Sequence, residues 1–103
     1  MKNFLVIGLG EFGKSVAKTL YKNKATVLAI DSREGVIKQA LNEGMIEEAI
    51  ILDATDEIAL KKVVRDDFDT AFVSVGDNIQ ASILITLQLK EMGVKNVICK
   101  AVN

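Results

Sequence analysis

The sequence contains no histidine, no proline and no tryptophan, and Cys99 is the one cysteine among its 103 residues. Histidine is the commonest general base and metal ligand in proteins, so its absence removes the usual basis for acid–base catalysis. A lone cysteine can form no disulfide within the chain and no cysteine–histidine metal cluster. We therefore predict no catalytic residues and no metal site.

Long apolar runs and an excess of one charge are also missing. No run approaches the roughly 20 apolar residues that a membrane-spanning helix needs, and no signal-peptide pattern opens the chain. The formal net charge is −1 with both signs interspersed, so the sequence offers no basic face for nucleic acid. Half of the residues are hydrophobic, which excludes general disorder. We expect one soluble, cytoplasmic domain over residues 1–103 that has no nucleic-acid partner.

A glycine motif near the start is the first chemical signal. An apolar run from Phe4 to Ile7 leads directly into Gly8, Gly10 and Gly13, which have the spacing G-x-G-x-x-G. A helical apolar pattern follows from Lys14 to Lys24, and strand, glycine turn and helix in this order are typical of dinucleotide binding. The three glycines permit a tight turn, close approach of a phosphate, and packing of helix on strand. The amino end of the helix favours phosphate anions.

An acidic residue ends the second predicted strand. Its apolar run extends from Ala25 to Ile30, and Asp31 is the C-terminal residue of the strand, 18 positions after Gly13. Dinucleotide-binding domains place an acidic residue at about this point, where it accepts hydrogen bonds from ribose hydroxyls. The alternative is that Asp31 caps the next helix. A carboxylate here would repel a 2′-phosphate and argues against NADP, although Arg33 close by leaves NADP open.

The remaining pattern alternates helices with strands. We predict helices over 33–42, 57–64 and 79–92, strands over 49–52, 70–75 and 96–99, and a solvated acidic loop over 66–69. The whole chain then reads βαβαβαβαβ. This alternation predicts an α/β fold with a Rossmann-like, doubly wound parallel sheet of strand order 3-2-1-4-5.

Further candidate site residues follow the later strands, on the sheet edge where such folds bind ligands. They are Asp53, Ala54 and Thr55 after strand three, Val75, Gly76 and Asp77 at the end of strand four, and Lys100 after strand five. Each group has a structural alternative. Thr55 or Asp56, and Asp77 or Asn78, are suitable helix N-caps, and Lys100 is equally suited to being a solvated lysine.

The helix predicted over 79–92 is apolar around most of its circumference. Packing on the sheet uses only one side, so the surplus predicts an interface with a partner. The candidate interface residues are Ile79, Ile83, Leu84 and Leu87. The alternative is that a tail covers this surface.

Several stretches together resemble the KTN or RCK domain (TrkA-N type), the nucleotide-binding regulator domain of bacterial Trk/Ktr potassium transporters and potassium channels. The resemblance covers nearly the whole chain. It is carried by the stretches 4–13 (FLVIGLGEFG), 28–31 (LAID), 53–56 (DATD), 73–84 (VSVGDNIQASIL) and 100–103 (KAVN). Residues 76–82 are the most specific part, because the glycine motif is shared by all Rossmann domains.

The resemblance implies an adenine nucleotide, either NAD(H) or ATP, ADP or AMP, in the crevice at the strand ends. Its phosphates would lie over the turn formed by Gly8, Leu9, Gly10, Glu11, Phe12 and Gly13. The ribose would lie on Asp31, the adenine near Ser32, Asp53 and Ala54, and Lys100 would face the phosphate side. Family members with a strong ATP response often have arginine at the position of Glu11, so this carboxylate favours NAD(H), ADP or AMP.

The resemblance also implies a regulatory role and an assembly. Such domains form homodimers and rings at the inner face of the membrane, partly through the helix that corresponds to 79–92, and gate a membrane-embedded potassium transporter or channel. Family chains usually continue further, so we expect this domain to be part of a longer chain. The alternative function is the cofactor-binding half of an NAD-dependent oxidoreductase.

Overall fold

In the computed structural model, which describes residues 2–65 and 67–100, strands alternate with helices along the chain. The elements are β1 (Asn3–Ile7), α1 (Glu11–Lys22), β2 (Thr26–Asp31), α2 (Glu34–Asn42), β3 (Glu48–Ile51), α3 (Glu57–Val63), β4 (Thr70–Val73), α4 (Ile79–Glu91) and β5 (Asn96–Cys99). All neighbouring strands are parallel, in the order β3-β2-β1-β4-β5. The predicted fold class and strand order are confirmed.

Two hydrophobic cores lie on opposite faces of the sheet. On one face, α1 and α2 contribute Ala17, Ile37 and Ala40, which pack with Val6 and its neighbours from β1 and β2. On the other face, α3 and α4 pack against alternate residues of the same strands. Leu5, Val6 and Ile7 of β1 are all at most 1% exposed, which explains why this strand is apolar without alternation.

The segment predicted as a solvated acidic loop contains a core residue, so that prediction is wrong for Phe68. The Phe68 side chain is 2% exposed and packs in the core under α3 and α4. The Arg65 guanidinium lies 5.5 Å from the centre of its ring. Asp69 is also engaged, because its carboxylate accepts a 3.0 Å hydrogen bond from the amide of Asn3. Asp66 lies outside the described residues.

Several predicted boundaries shift by one to three residues, and two of the larger shifts concern the crevice edge of the sheet. Helix α1 begins at Glu11, so Gly13 lies in its first turn and Gly10 is its N-cap. Strand β4 ends at Val73, two residues earlier than predicted, and Val75 belongs to the turn that leads to α4.

Three helices end with the same pair of backbone hydrogen bonds. At α2 and α4 the residue that turns the chain is a glycine with positive φ, Gly44 (70°) and Gly93 (94°). At α1 the same position is taken by Lys24, with φ 62°. There the amide of Ala25 donates to the carbonyl of Leu20, and the Lys24 amide donates to Tyr21, as in the Schellman motif.

Candidate nucleotide-binding crevice

A crevice of about 330 Å³ lies where the carboxyl ends of β1 to β4 meet. It spans the point between β1 and β4 where the strand order reverses, the position at which open α/β sheets bind ligands. Its lining includes nine predicted site residues, namely Gly8, Asp31, Ser32, Arg33, Asp53, Ala54, Thr55, Val75 and Gly76. Its volume is near the lower end of the range of about 300–1,000 Å³ for ligand pockets.

The three glycines of the motif differ in what surrounds them. A Cβ added to Gly8, which has φ 94°, would overlap the carbonyl oxygen of Ser74, and one added to Gly13 would overlap the carbonyl oxygen of Gly8. Packing within the chain therefore requires glycine at these two positions. A Cβ on Gly10 would meet nothing within 4 Å. The second glycine thus borders open space, and packing within the described residues does not require it.

The helix that starts at Gly10 has no side-chain cap. Asp56 accepts from the Ala59 amide at the start of α3, and Asn78 accepts from the Ala81 amide at 2.9 Å at the start of α4. No side chain makes the corresponding hydrogen bond at α1 or at α2. The amide groups of its first turn and the positive end of its dipole are therefore available to an anion.

Asp31 is the buried acid of the site, at 5% exposure. Its Oδ2 accepts from the Leu9 amide at 2.8 Å and from Arg33 Nη2 at 2.9 Å. Its Oδ1 accepts from the Arg33 amide at 2.9 Å and from Arg33 Nε at 3.0 Å. The alternative role as a helix cap is not seen, because the N-cap of α2 is Arg33 and no side chain caps that helix.

The charge state of Asp31 follows from these contacts. Burial raises the pKa of its carboxyl, but the hydrogen bonds from the Arg33 side chain, the Leu9 amide and the Arg33 amide, with the charge of Arg33, outweigh burial. The net pKa lies below the ordinary value of an aspartate. Asp31 is therefore an anion at neutral pH, and the Leu9 amide and Arg33 fix the orientation of its carboxylate.

A second acid follows β3. Both the amide and the hydroxyl of Thr55 donate to Asp53 Oδ1, at 2.9 and 2.6 Å. These two hydrogen bonds lower the pKa of Asp53 below its ordinary value. This turn holds the exposed Asp53 at the rim of the crevice, while Ala54, between Asp53 and Thr55, is buried.

The remaining predicted residues, among them Gly10 and Gly13, are not in the crevice lining. The buried side chain of Leu9 faces the core, and only its amide reaches the site, through Asp31. Glu11 and Phe12 start α1, and Asp77 is exposed in the turn before α4, where Asn78 has the capping role. Asn78 also lines the crevice. Its position after strand four and its suitability as a helix N-cap were the signals for it in the sequence.

Lys100 is also absent from the crevice lining. It lines a second, apolar groove of about 440 Å³, which we call the α4 groove, together with Ile79, Ser82, Ile83, Thr86, Leu87 and Cys99. The structure therefore does not bring Lys100 together with the crevice residues. The four predicted interface side chains of α4 are 43–57% exposed. Within the described residues, no helix combines the length and apolar character needed to cross a bilayer.

The sheet order, the glycine turn and the acid at the end of β2 define a Rossmann-like domain of the nucleotide-binding class. The chain belongs to the TrkA-N domain family, which matches residues 4–103. The resemblance inferred from the sequence is thereby confirmed.

Individual relatives agree with this assignment. The chain is 44% identical over 102 residues to Ktr system potassium uptake protein C of Bacillus subtilis (strain 168), covering 99% of this chain and 45% of that protein. It is 42% identical over 100 residues to Ktr system potassium uptake protein A of Vibrio alginolyticus, covering 97% and 44%. The chain thus spans less than half the length of these two relatives.

A solved structure shows the same fold. The NAD(P)-binding domain of an exopolyphosphatase-related protein from Archaeoglobus fulgidus superposes with a TM-score of 0.83 at 21% identity, covering all of this chain and 75% of the other. At this identity the likeness concerns the fold alone.

Proposed function

We propose that this chain is a regulatory domain that binds an adenine nucleotide in the crevice and thereby controls a membrane-embedded potassium transporter or channel. The main support for a bound nucleotide is the position of Gly10. This residue borders open space at the start of a helix that has no side-chain cap. A phosphate group fits such a position, because only glycine lets it approach the backbone amides closely. The potassium-transport role rests on the relatives, which are named as potassium uptake proteins.

In the proposed pose the nucleotide extends from the glycine turn, past Asp31, to the turn after β3. The phosphates lie over the turn from Gly8 to Gly13, and the ribose lies on the Asp31 carboxylate. The adenine lies near Ser32, Asp53 and Ala54, where the turn after β3 forms the rim. The nucleotide is NAD(H), or one of ATP, ADP and AMP. Glu11 is exposed in the first turn of α1, and its negative charge opposes a further phosphate there, which favours NAD(H), ADP or AMP over ATP.

Regulation requires that the nucleotide bind two states of an assembly with different affinity. We propose that two copies of the domain meet through Ile79, Ile83, Leu84 and Leu87 of α4, which are exposed and apolar. Such dimers, or larger rings, lie in the cytoplasm against the membrane partner. The nucleotide then changes the arrangement of the copies.

The oxidoreductase alternative is less well supported. The names of the relatives favour a component of potassium uptake over an enzyme. A dehydrogenase also needs an acid–base group near the nicotinamide, and the sequence has no histidine to supply the commonest one.

Calorimetric titration with NAD, NADH, ATP, ADP and AMP tests the proposal. We expect binding of at least one of them, and loss of that binding in Gly10→Val, whose side chain would occupy the phosphate position. Gly35→Val is the matched control, because an added Cβ there also meets nothing within 4 Å and the residue lies in α2 and not in the glycine turn. Absence of binding by the wild type would refute the nucleotide role. Unchanged binding by Gly10→Val would refute the placement of the phosphates.

A further inference from the structure

The carboxylate of Asp31 is saturated with hydrogen bonds in the free protein. An ionised carboxylate has about four acceptor positions on its two oxygens. The Leu9 amide, the Arg33 amide, Arg33 Nε and Arg33 Nη2 occupy four, at distances of 2.8–3.0 Å. A ribose hydroxyl can therefore bind Asp31 only if one of these donors leaves.

The four donors differ in how freely they can leave. Two are backbone amides, held by the turn after β1 and by the start of α2. The other two belong to one guanidinium, whose side chain is 61% exposed while that of Asp31 is 4% exposed. The guanidinium is thus on the solvent side of the pair, and Arg33 can move into solvent without disturbing the backbone.

The guanidinium and a ribose offer the carboxylate similar groups. Arg33 presents two neighbouring N–H donors, one to each carboxylate oxygen. The 2′- and 3′-hydroxyls of a ribose are also two neighbouring donors. Both therefore need the same two acceptor positions, and they exclude each other.

We propose that Arg33 is an internal ligand of Asp31 that the ribose diol of the nucleotide displaces, which makes Arg33 a determinant of affinity and of ribose specificity. This inference rests on the proposed function, because it assumes that a nucleotide ribose binds Asp31. When the binding-competent state is only partly populated, the apparent affinity falls by that fraction. The Arg33–Asp31 ion pair therefore weakens nucleotide binding. The effect is largest for ligands that must hydrogen-bond to both oxygens of the carboxylate.

The first test measures binding of ADP and of 2′-deoxy-ADP by calorimetry. Arg33→Lys keeps the positive charge but cannot form the two-donor fork, so electrostatic attraction of the phosphates is preserved. We expect Arg33→Lys to bind ADP roughly two- to tenfold more tightly than the wild type, the range that a bidentate ion pair with one exposed partner allows. Its preference for ADP over 2′-deoxy-ADP should also increase. Arg65→Lys, on the exposed pair with Asp67, is the matched control and should leave both affinities unchanged.

The second test observes the displacement directly. The sequence has two arginines, Arg33 and Arg65, so the Nε–H region of a ¹⁵N–¹H NMR spectrum contains two signals to assign. Addition of ADP should move or broaden the Arg33 signal and leave that of Arg65 in place as the internal reference.

The outcomes separate this inference from the proposed function. If the wild type binds ADP but Arg33→Lys binds it equally or more weakly, and the Arg33 signal does not respond, the displacement is refuted and the nucleotide role stands. If neither protein binds ADP, NAD or another adenine nucleotide, both are refuted. Tighter binding of ADP without a gain in discrimination against 2′-deoxy-ADP would also overturn the proposal, because the diol would not be the displacing group.

Discussion

The main-chain amide of Leu9 donates a 2.8 Å hydrogen bond to the carboxylate of Asp31, 22 residues further along the chain. This bond joins the glycine turn after β1 to the end of β2. Since both partners are buried, it contributes to the stability of the fold as well as to the shape of the crevice.

Asp31→Asn should destabilise the protein. An amide has one acceptor oxygen where the carboxylate has two, so it cannot satisfy both the Leu9 and the Arg33 amides as Asp31 does. We expect a loss of about 1–3 kcal/mol in the free energy of unfolding by urea at pH 7, the cost of a buried unsatisfied donor. Asp53→Asn is the control, because a single oxygen of that exposed residue accepts both of its hydrogen bonds. Equal stability of the two variants would contradict the structural role of Asp31.

The same residue predicts a pH dependence. The pKa of Asp31 is lowered in the folded protein, so its stabilising contribution is fully present above the unfolded value of about 3.9 and is lost as pH falls through the folded value. The stability difference between wild type and Asp31→Asn should therefore be large at pH 7 and shrink toward pH 3. Urea unfolding at a series of pH values measures it. A difference that stays constant over this range would show that the charge of Asp31 does not stabilise the fold.

Lys24→Gly should stabilise the protein. Lys24 has φ 62° at the end of α1, in a position that glycine occupies at the ends of α2 and α4. A side chain is strained in this conformation, so glycine should raise the free energy of unfolding by about 0.5–1 kcal/mol. Lys22→Gly, inside the last turn of the same helix, should lower it by about 1 kcal/mol. A destabilising Lys24→Gly would contradict this account of the turn.

Gln88→Met should also stabilise the protein. Gln88 is 7% exposed in α4, and its Oε1 finds no hydrogen-bond partner among residues 2–65 and 67–100. A methionine of similar shape removes the unpaired oxygen, and we expect a gain of about 1 kcal/mol in thermal or urea unfolding. Gln80→Met at the exposed start of the helix should change stability by less than about 0.5 kcal/mol. A clear loss on Gln88→Met would mean that the amide has a partner in solution.

Leu87→Glu should prevent self-association while the fold is retained. The leucine is 57% exposed on α4 beside other exposed apolar residues, so a charge there costs about 2 kcal/mol or more if a second copy covers it. Sedimentation velocity should show the wild type as a dimer or larger and Leu87→Glu shifted toward monomer. Ile58→Glu on α3, where the isoleucine is 71% exposed, is the control and should associate like the wild type. A wild type that is monomeric at high concentration would refute the interface.

The fold was predictable because few topologies suit its pattern. Apolar runs such as Phe4 to Ile7 indicate strands buried on both faces, and right-handed crossovers between parallel strands leave a small set of strand orders. The location of the candidate site was predictable because such sheets bind ligands at the carboxyl ends of their strands. Asp31 was found for this reason, since it directly follows the apolar run of β2.

The features that the sequence did not reveal have no periodic signal. Phe68 is a single aromatic residue among acidic ones, and its burial depends on the space left under α3 and α4. The pairing of Arg33 with Asp31 depends on a side-chain rotamer, which residue spacing does not determine. Lys100 follows β5 at the sheet edge, and it lines the α4 groove and not the crevice.

The contact of Gly8 with the carbonyl of Ser74 has a mechanical consequence. Two stretches of backbone touch there with no rotatable group between them to absorb a displacement. Ser74 starts the short connection through Gly76 to α4, the helix with the exposed apolar surface. A displacement of the glycine turn toward Ser74 must therefore also displace the start of this connection.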